Sequence, residues 1–230
     1  MSNGQVAGID GDQWAQVGNI PGLRVDPPRA GGEQGARGAL ILAHGAGAPM
    51  DSGFMEDIAQ RLAGLGVGVI RFEFPYMAER RLNGGKRPPN PQKVLLECWR
   101  EVYRQVRPLV TGTLAIGGKS MGGRMASLLA DELGADALVC LGYPFYAVGK
   151  PEKPRVEHLA GLRTPTLIVQ GERDALGNRE AVAGYALAPA IEVHWLLAAD
   201  HDLKPLKASG VTHERHMQAA AERVAGFLRG

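Results

Sequence analysis

Short apolar runs alternate with amphipathic stretches along most of the chain. The runs are rich in Val, Ile and Leu, and such runs without polar alternation are typical of strands that are buried on both faces of a parallel sheet. We predict strands at residues 39–43, 67–72, 114–117, 137–141, 165–170 and 191–196, and an antiparallel edge strand around residues 23–26.

Between these strands, apolar residues recur at the spacing of an α-helix. The predicted helices are residues 54–65, 92–109, 121–133, 179–186 and 213–228. Residues 75–92 are polar and rich in Gly and Pro, and they predict an ordered loop or a small cap. Strands that alternate with helices predict the α/β class, with helices on both faces of one mostly parallel sheet and functional loops at the carboxyl ends of the strands.

The composition limits the classes of function. With 230 residues, of which 45% are hydrophobic and 22% charged, the chain predicts one globular domain over residues 1–230, whose first 38 residues are the least well defined. The formal charge of +2 supplies no strong field, so we expect no nucleic acid or membrane partner. A small molecule is the expected partner, and the sequence does not specify an oligomeric state.

Cysteine usage and the N-terminus bear on the compartment. Cys98 and Cys140 show no CxxC spacing and no nearby His cluster, so we expect neither a disulfide framework nor a metal site. The N-terminus has no basic start followed by an apolar run, and no long apolar segment occurs elsewhere. These features predict a cytoplasmic protein.

A G-x-S-x-G motif lies between a predicted strand and a predicted helix and reads Gly118-Lys119-Ser120-Met121-Gly122. In this context the serine is held on a sharp, strained turn, and the glycines remove Cβ atoms that would clash. Ser120 is then presented outward as a nucleophile, and the N–H of Met121 faces a developing oxyanion at the helix N-terminus. Without the strand and the helix around it, the motif would indicate an ordinary glycine-rich turn.

The same stretch contains the Gly-Lys-Ser that ends a phosphate-binding loop, G-x-x-x-x-G-K-[ST]. The spacing argues against such a loop, because Thr113 stands where the first glycine is required. Residues 114–116 are also strand-like where a flexible cradle is needed.

A serine hydroxyl needs a base, and the base needs a carboxylate to orient it. Asp174 follows one predicted strand and His201 follows the next, so the three groups occur in the order Ser, Asp, His. Asp174 could instead only cap the helix that begins near Asn178, and Glu172 is a nearby carboxylate that could take its role. His201 could be a surface residue, but its place after a strand favours the role of base.

The loop after the first parallel strand begins at His44 and continues with small residues. The N–H of Ala46 is the candidate for the second oxyanion donor, and His44 is expected to hold the loop by hydrogen bonding. An ordinary glycine-rich turn is the alternative for this loop.

Substrate contacts are predicted among residues that follow strands. Tyr76 and Tyr143 either line an apolar acyl pocket or pack against the helices. Arg80 belongs to a basic segment and is a candidate for attracting a carboxylate or phosphate, although a solvated loop would have the same composition.

Residues 44–55, 118–124, 171–174 and 199–205 together resemble the α/β-hydrolase superfamily, and more closely its small, nearly lidless members related to dienelactone hydrolase. A closer likeness is to a branch with HGAG followed by MDS-x-FM and with GKSMGGR. The resemblance spans roughly residues 38–229. It implies a central, mostly parallel sheet, no cofactor and chemistry on esters or related acyl compounds. Dienelactone hydrolases use a cysteine nucleophile, where this chain has Ser120.

These observations predict a serine hydrolase that acts on a small acyl compound through an acyl-enzyme, with Ser120, Asp174 and His201 as its catalytic residues. The alternative is an idle α/β-hydrolase scaffold that binds a ligand or a protein. A full set of three polar groups on three loops favours the enzyme.

Overall fold

The computed structural model describes residues 10–29 and 38–229, and a seven-stranded sheet forms their centre. The expectation for the N-terminal start falls on residues 1–9, which lie outside the described residues. The strands are β1 (Leu23–Asp26), β2 (Ala39–Ala43), β3 (Gly68–Phe72), β4 (Leu114–Lys119), β5 (Ala137–Leu141), β6 (Thr166–Gly171) and β7 (Ile191–Leu196).

The strand order is β1-β3-β2-β4-β5-β6-β7. Only β1 is antiparallel, and it pairs with β3 at one edge. The other pairs are parallel. The predicted fold class and the antiparallel edge strand are therefore confirmed, and the carboxyl ends of β2 to β7 share one edge of the sheet.

The described helices flank this sheet, and none of them is long and apolar enough to cross a membrane. They are α1 (Gly11–Gly18), α2 (Gly53–Gly64), α3 (Pro75–Asn83), α4 (Gln92–Val106), α5 (Met121–Ser127), α6 (Ala130–Leu133), α7 (Arg179–Val182) and α8 (His213–Phe227).

Two predicted segments need correction, and one helix was not predicted. The segment predicted as a loop or small cap begins with α3, where Pro75 occupies the first turn and loses no intrahelical hydrogen bond. The predicted helix 121–133 is broken into α5 and α6, and the Ser127 hydroxyl donates to the Arg124 carbonyl near the break. Helix α1 was not predicted, although Asp10 and Gln13 form a capping box at its start.

Each face of the sheet supports its own apolar layer. Alternate residues of a strand point to opposite faces, so Ile41 packs in the layer with α1, α4 and α5, whereas Leu42 packs in the layer with α2 and α8. Trp99 of α4 is completely buried in the first layer. The sheet is thereby fixed from both sides, which holds the loops at its carboxyl edge.

An ion pair of a buried arginine with a partly exposed aspartate joins the antiparallel edge strand to the sheet. The Arg71 side chain on β3 is 1% exposed, and its Nη2 lies 2.8 Å from Asp26 Oδ2 on β1. Arg71 Nη1 also donates to the Met50 carbonyl over 2.6 Å, in the segment that follows β2. These two contacts of Arg71 therefore fix both the edge strand and the connection that follows β2.

We expect Asp26→Asn to lower the free energy of unfolding by about 2–3 kcal/mol, because it leaves the buried Arg71 charge without its partner. The matched control is Arg24→Gln on the same strand, which removes the exposed pair with Glu56 and is expected to cost less than about 1 kcal/mol. Urea denaturation followed by circular dichroism measures both. Equal losses in the two variants would contradict this account of Arg71.

Candidate active site

Ser120 lies on the turn between β4 and α5 with φ 52° and ψ −118°, in the left-handed region that side chains rarely adopt. Its N–H donates to the Leu141 carbonyl of β5, and its carbonyl accepts from Arg124, both over 3.0 Å. A Cβ at Gly118 would lie 2.6 Å from the Ala43 carbonyl oxygen, and one at Gly122 would be equally close to it. Only glycine fits at these two positions, so the turn presents the Ser120 side chain at the carboxyl edge of the sheet.

The structure brings Ser120, His201 and Asp174 together in one hydrogen-bonded chain. His201 Nε2 lies 2.9 Å from Ser120 Oγ, and Nδ1 lies 2.7 Å from Asp174 Oδ2. A carboxylate at Nδ1 favours the tautomer with the proton there, so Nε2 is free to accept the serine proton. Asp174 is fully buried, whereas the His201 side chain is 26% exposed. Of the three hydrogen-bonded side chains, the serine end is therefore the end that is open to a substrate.

Asp174 is fixed by its surroundings. Its Oδ1 accepts from the Leu176 N–H over 2.8 Å, and its Oδ2 accepts from Gln170 Nε2 over 2.9 Å. Gln170 is itself completely buried. The alternative carboxylate, Glu172, is held elsewhere by Arg179 and the Ala198 N–H. Asp174, and not Glu172, is thus the carboxylate in contact with His201.

The loop after β2 is held by side chains beneath it. His44 is fully buried, its Nδ1 lies 2.6 Å from the Gly45 carbonyl oxygen, and its Nε2 accepts from the Phe74 N–H over 3.1 Å. Burial lowers the pKa of His44. It therefore acts as a neutral structural residue, as expected from the sequence. The Tyr76 hydroxyl donates to the Ala46 carbonyl over 2.8 Å, and this hydrogen bond fixes the peptide group that follows Ala46.

The two predicted oxyanion donors lie on segments that flank Ser120. Ala46 is exposed in the loop after β2, and Met121 is the first residue of α5. In residues 10–29 and 38–229 neither N–H has a hydrogen-bond acceptor. Both donors are therefore available, and their role in binding an oxyanion stays a prediction.

Lys119 is a residue of this site that the sequence did not single out. Its Nζ donates to the His201 carbonyl over 2.6 Å, lies 3.4 Å from Asp202 Oδ1 and lies 5.3 Å from the centre of the Phe54 ring. Burial lowers the pKa of Lys119, and the charges of Asp202 and Asp174 oppose that shift. Lys119 thus ties the histidine loop to the turn that carries the serine.

The predicted substrate contacts require a correction. Tyr143 is completely buried, and its hydroxyl donates to the Arg155 carbonyl over 3.2 Å. Tyr76 is 2% exposed and holds the loop after β2. Both rings pack inside the protein because the chain turns inward after β3 and β5, so neither lines an open pocket. In the described residues, Arg80 is half-buried on α3 without an ion pair, and its substrate role stays a prediction.

A second serine and histidine also lie in contact, away from this chain of hydrogen bonds. Ser127 Oγ lies 2.8 Å from His158 Nε2, but the serine is 2% exposed and donates to the Arg124 carbonyl. Burial, and secondly the charge of Arg124, lowers the pKa of His158 to about 4. No carboxylate of the described segments orients His158, so this pair lacks the arrangement found at Ser120. Nor do these segments group three or more His, Cys, Asp or Glu as a metal site would require.

Comparison with known proteins gives one family match. A family model described as an alpha/beta hydrolase domain matches residues 36–229. This range contains every residue of the site described above.

Three solved structures with the same fold are distant from this chain in sequence. A serine hydrolase without a lid from Xanthomonas campestris is 21% identical, with a TM-score of 0.64 over 88% of each chain. Est1E from Butyrivibrio proteoclasticus is 16% identical, with a TM-score of 0.66 over 90% of this chain and 94% of that one. A monoacylglycerol lipase from Paleococcus ferrophilus is 14% identical, with a TM-score of 0.64 over 89% of this chain and 98% of that one. At these identities the likeness shows the fold alone.

We expect Lys119→Met to lower the rate at which Ser120 reacts with a fluorophosphonate by about tenfold or more, because a displaced His201 no longer faces Oγ. Lys119→Arg, which keeps a cation, should recover part of the rate. The control is Lys204→Met, which removes an exposed lysine from the histidine loop. Labelling followed by intact mass measures the rates, and unchanged labelling of Lys119→Met would contradict the positioning role.

Proposed function

The chain belongs to the alpha/beta hydrolase domain family, and on that premise we propose that it is a serine hydrolase that cleaves small esters or related acyl compounds through an acyl-enzyme. The observation that carries this proposal is the continuous hydrogen-bonded chain from Ser120 Oγ through His201 to the buried Asp174. A partly exposed serine with an oriented base is the arrangement that acyl transfer needs.

In the proposed mechanism, Ser120 Oγ attacks the acyl carbonyl while His201 Nε2 takes its proton. Asp174 stabilises the imidazolium that forms. The N–H groups of Ala46 and Met121 donate to the oxyanion of the tetrahedral intermediate. His201 then returns the proton to the leaving alcohol, and the acyl-enzyme remains.

Hydrolysis of the acyl-enzyme repeats these steps with water. His201 takes a proton from the water that attacks the carbonyl carbon, and a second tetrahedral intermediate forms in the same oxyanion site. When the intermediate collapses, His201 protonates Ser120 Oγ and the carboxylic acid leaves. The serine and the base are thereby restored.

The family likeness supports a compact substrate. We place the chain near the small, nearly lidless members related to dienelactone hydrolase, with Ser120 in place of their cysteine. In this chain the connection from β5 to β6 contains a short 3₁₀ helix, Glu157–Gly161, and no α-helix. Est1E, which shares the fold, has been solved with ferulic acid bound.

The idle scaffold is the less favoured alternative. A scaffold that only binds a partner has no use for a fully buried Asp174 fixed by Gln170 and aligned on His201. It would also gain nothing from the left-handed conformation of Ser120, which costs about 1–3 kcal/mol.

We expect one covalent fluorophosphonate adduct on the wild type and none on Ser120→Ala. His201→Ala should lower ester hydrolysis by several orders of magnitude, because the base is lost. Intact mass and release of 4-nitrophenol measure these two results. The control is Ser127→Ala, which removes the serine of the other serine–histidine contact. If Ser120→Ala were labelled and Ser127→Ala were not, the nucleophile would be Ser127; no adduct on the wild type would favour the idle scaffold.

Among 4-nitrophenyl esters of straight-chain acids, we expect kcat/KM to stop rising at acyl chains of about eight carbons or fewer. An open site removes few methylene groups from water, and each buried one contributes about 0.8 kcal/mol. A series from acetate to dodecanoate measures the trend. Values that continue to rise through dodecanoate would contradict the compact site.

A further inference from the structure

One half-buried guanidinium near the serine turn has no counter-ion. Arg124 Nε is buried without a hydrogen-bond partner, and Nη1 lies 3.4 Å from Oε1 of the neutral Gln92. Within residues 10–29 and 38–229 Arg124 forms no ion pair with a carboxylate. Burial, as the largest cause, lowers the pKa of Arg124.

The neighbours of Arg124 supply no negative charge. The carbonyl of the exposed Arg155 accepts from the Tyr143 hydroxyl, and the charge of Arg155 further lowers the pKa of Arg124. His158, whose pKa is about 4, is uncharged near neutral pH. The described part of the chain shows no ion pair of Arg155 either. Arg124 and Arg155 are therefore two neighbouring positive charges without a carboxylate.

Other arginines of the chain show how a guanidinium is usually satisfied. Arg71 pairs with Asp26 at 2.8 Å, Arg81 pairs with Glu73 at 2.6 Å, and Arg107 pairs with Asp136 at 3.0 Å. A charged group that loses hydration without a partner destabilises the fold. A counter-ion brought by a ligand would remove that cost at Arg124.

Arg124 lies on α5, the helix that begins directly after Ser120. Its N–H donates to the Ser120 carbonyl, so its side chain starts one helical turn after the serine. Side chains of a helix lean toward its N-terminus, which directs the guanidinium back toward the serine end of α5. Its hydrogen-bond partner Gln92 is the first residue of α4. The chain enters α4 after it has left the carboxyl end of β3. The guanidinium therefore belongs to the same edge of the sheet as the nucleophile.

We propose that Arg124, assisted by Arg155, binds a carboxylate on the acyl group of the substrate, so that the protein prefers monoesters of dicarboxylic acids to esters of uncharged acids. A planar guanidinium binds a carboxylate through parallel N–H donors. This inference rests on the proposed serine hydrolase and names the substrate class of the same site.

The test compares two 4-nitrophenyl esters of equal acyl length, the monoester of adipic acid and the ester of hexanoic acid, which differ in the terminal carboxylate. We expect the wild type to have the higher kcat/KM for the adipate monoester. Arg124→Gln should lower the ratio of the two kcat/KM values by about tenfold or more, because a charge-assisted contact is lost. Arg155→Gln should lower it less, and Arg124→Lys should retain part of it.

The matched control is Arg104→Gln, which removes the same charge from an exposed position of α4. It should leave the ratio unchanged, which separates a local contact from the field of the whole protein. A wild type without preference for the adipate monoester, or a folded Arg124→Gln with the wild-type ratio, overturns the proposal. If circular dichroism shows that Arg124→Gln is unfolded, Arg155→Gln decides, and an unchanged ratio overturns the proposal.

A binding measurement separates failure of this inference from failure of the hydrolase proposal. Calorimetric titration of the Ser120→Ala variant with adipate measures the Kd for adipate. Adding Arg124→Gln to that variant should raise this Kd about tenfold or more. This result supports the subsite even if the wild type cleaves neither ester, in which case only the hydrolase proposal fails. Equal adipate affinities with and without Arg124 overturn the subsite, whatever the wild type hydrolyses.

Discussion

The left-handed backbone of Ser120 is the constraint on which the site depends. The turn is so tight that the first residues of α5 lie directly against the ends of β2 and β4, where Gly118 and Gly122 leave no room for a Cβ. Its conformation is maintained by hydrogen bonds to Leu141 on β5 and to Arg124 within α5. A strained residue of this kind persists because the neighbouring strands and helix over-determine it. The position of the hydroxyl is thus a property of the whole centre of the sheet.

The histidine and the aspartate are positioned by residues at the ends of other strands. Lys119, the last residue of β4, donates to the His201 carbonyl, and Gln170, near the end of β6, donates to Asp174. Parallel strands end at the same edge, so a long polar side chain at the end of one strand reaches a loop that follows another. The apolar layers on the two faces of the sheet provide the rigidity that these polar contacts need.

Much of the fold could be predicted because a buried parallel strand has few alternatives. The bounds of β2, β5 and β7 agree with the apolar runs. Helix α3 was missed because the Gly and Pro residues around it indicate a loop, although a proline at the first turn is compatible with a helix.

The three loops that meet at Ser120 could be predicted from motif context and chain order. The paths of individual side chains could not. Tyr143 follows a strand in the sequence, but only the course of the loop decides that its ring turns inward. Lys119 contacts a residue 82 positions away, and no local pattern predicts that contact.

The contact between Lys119 and the histidine loop uses the backbone carbonyl of residue 201 and not its ring. A carbonyl is present whatever the side chain, so the loop keeps this anchor when the histidine is replaced. The chemistry of the site and the architecture of its loop can therefore change independently during evolution. A descendant of this chain can lose the imidazole in a single substitution and still present the same surface, which makes a change from the proposed hydrolase to a binding protein a short one.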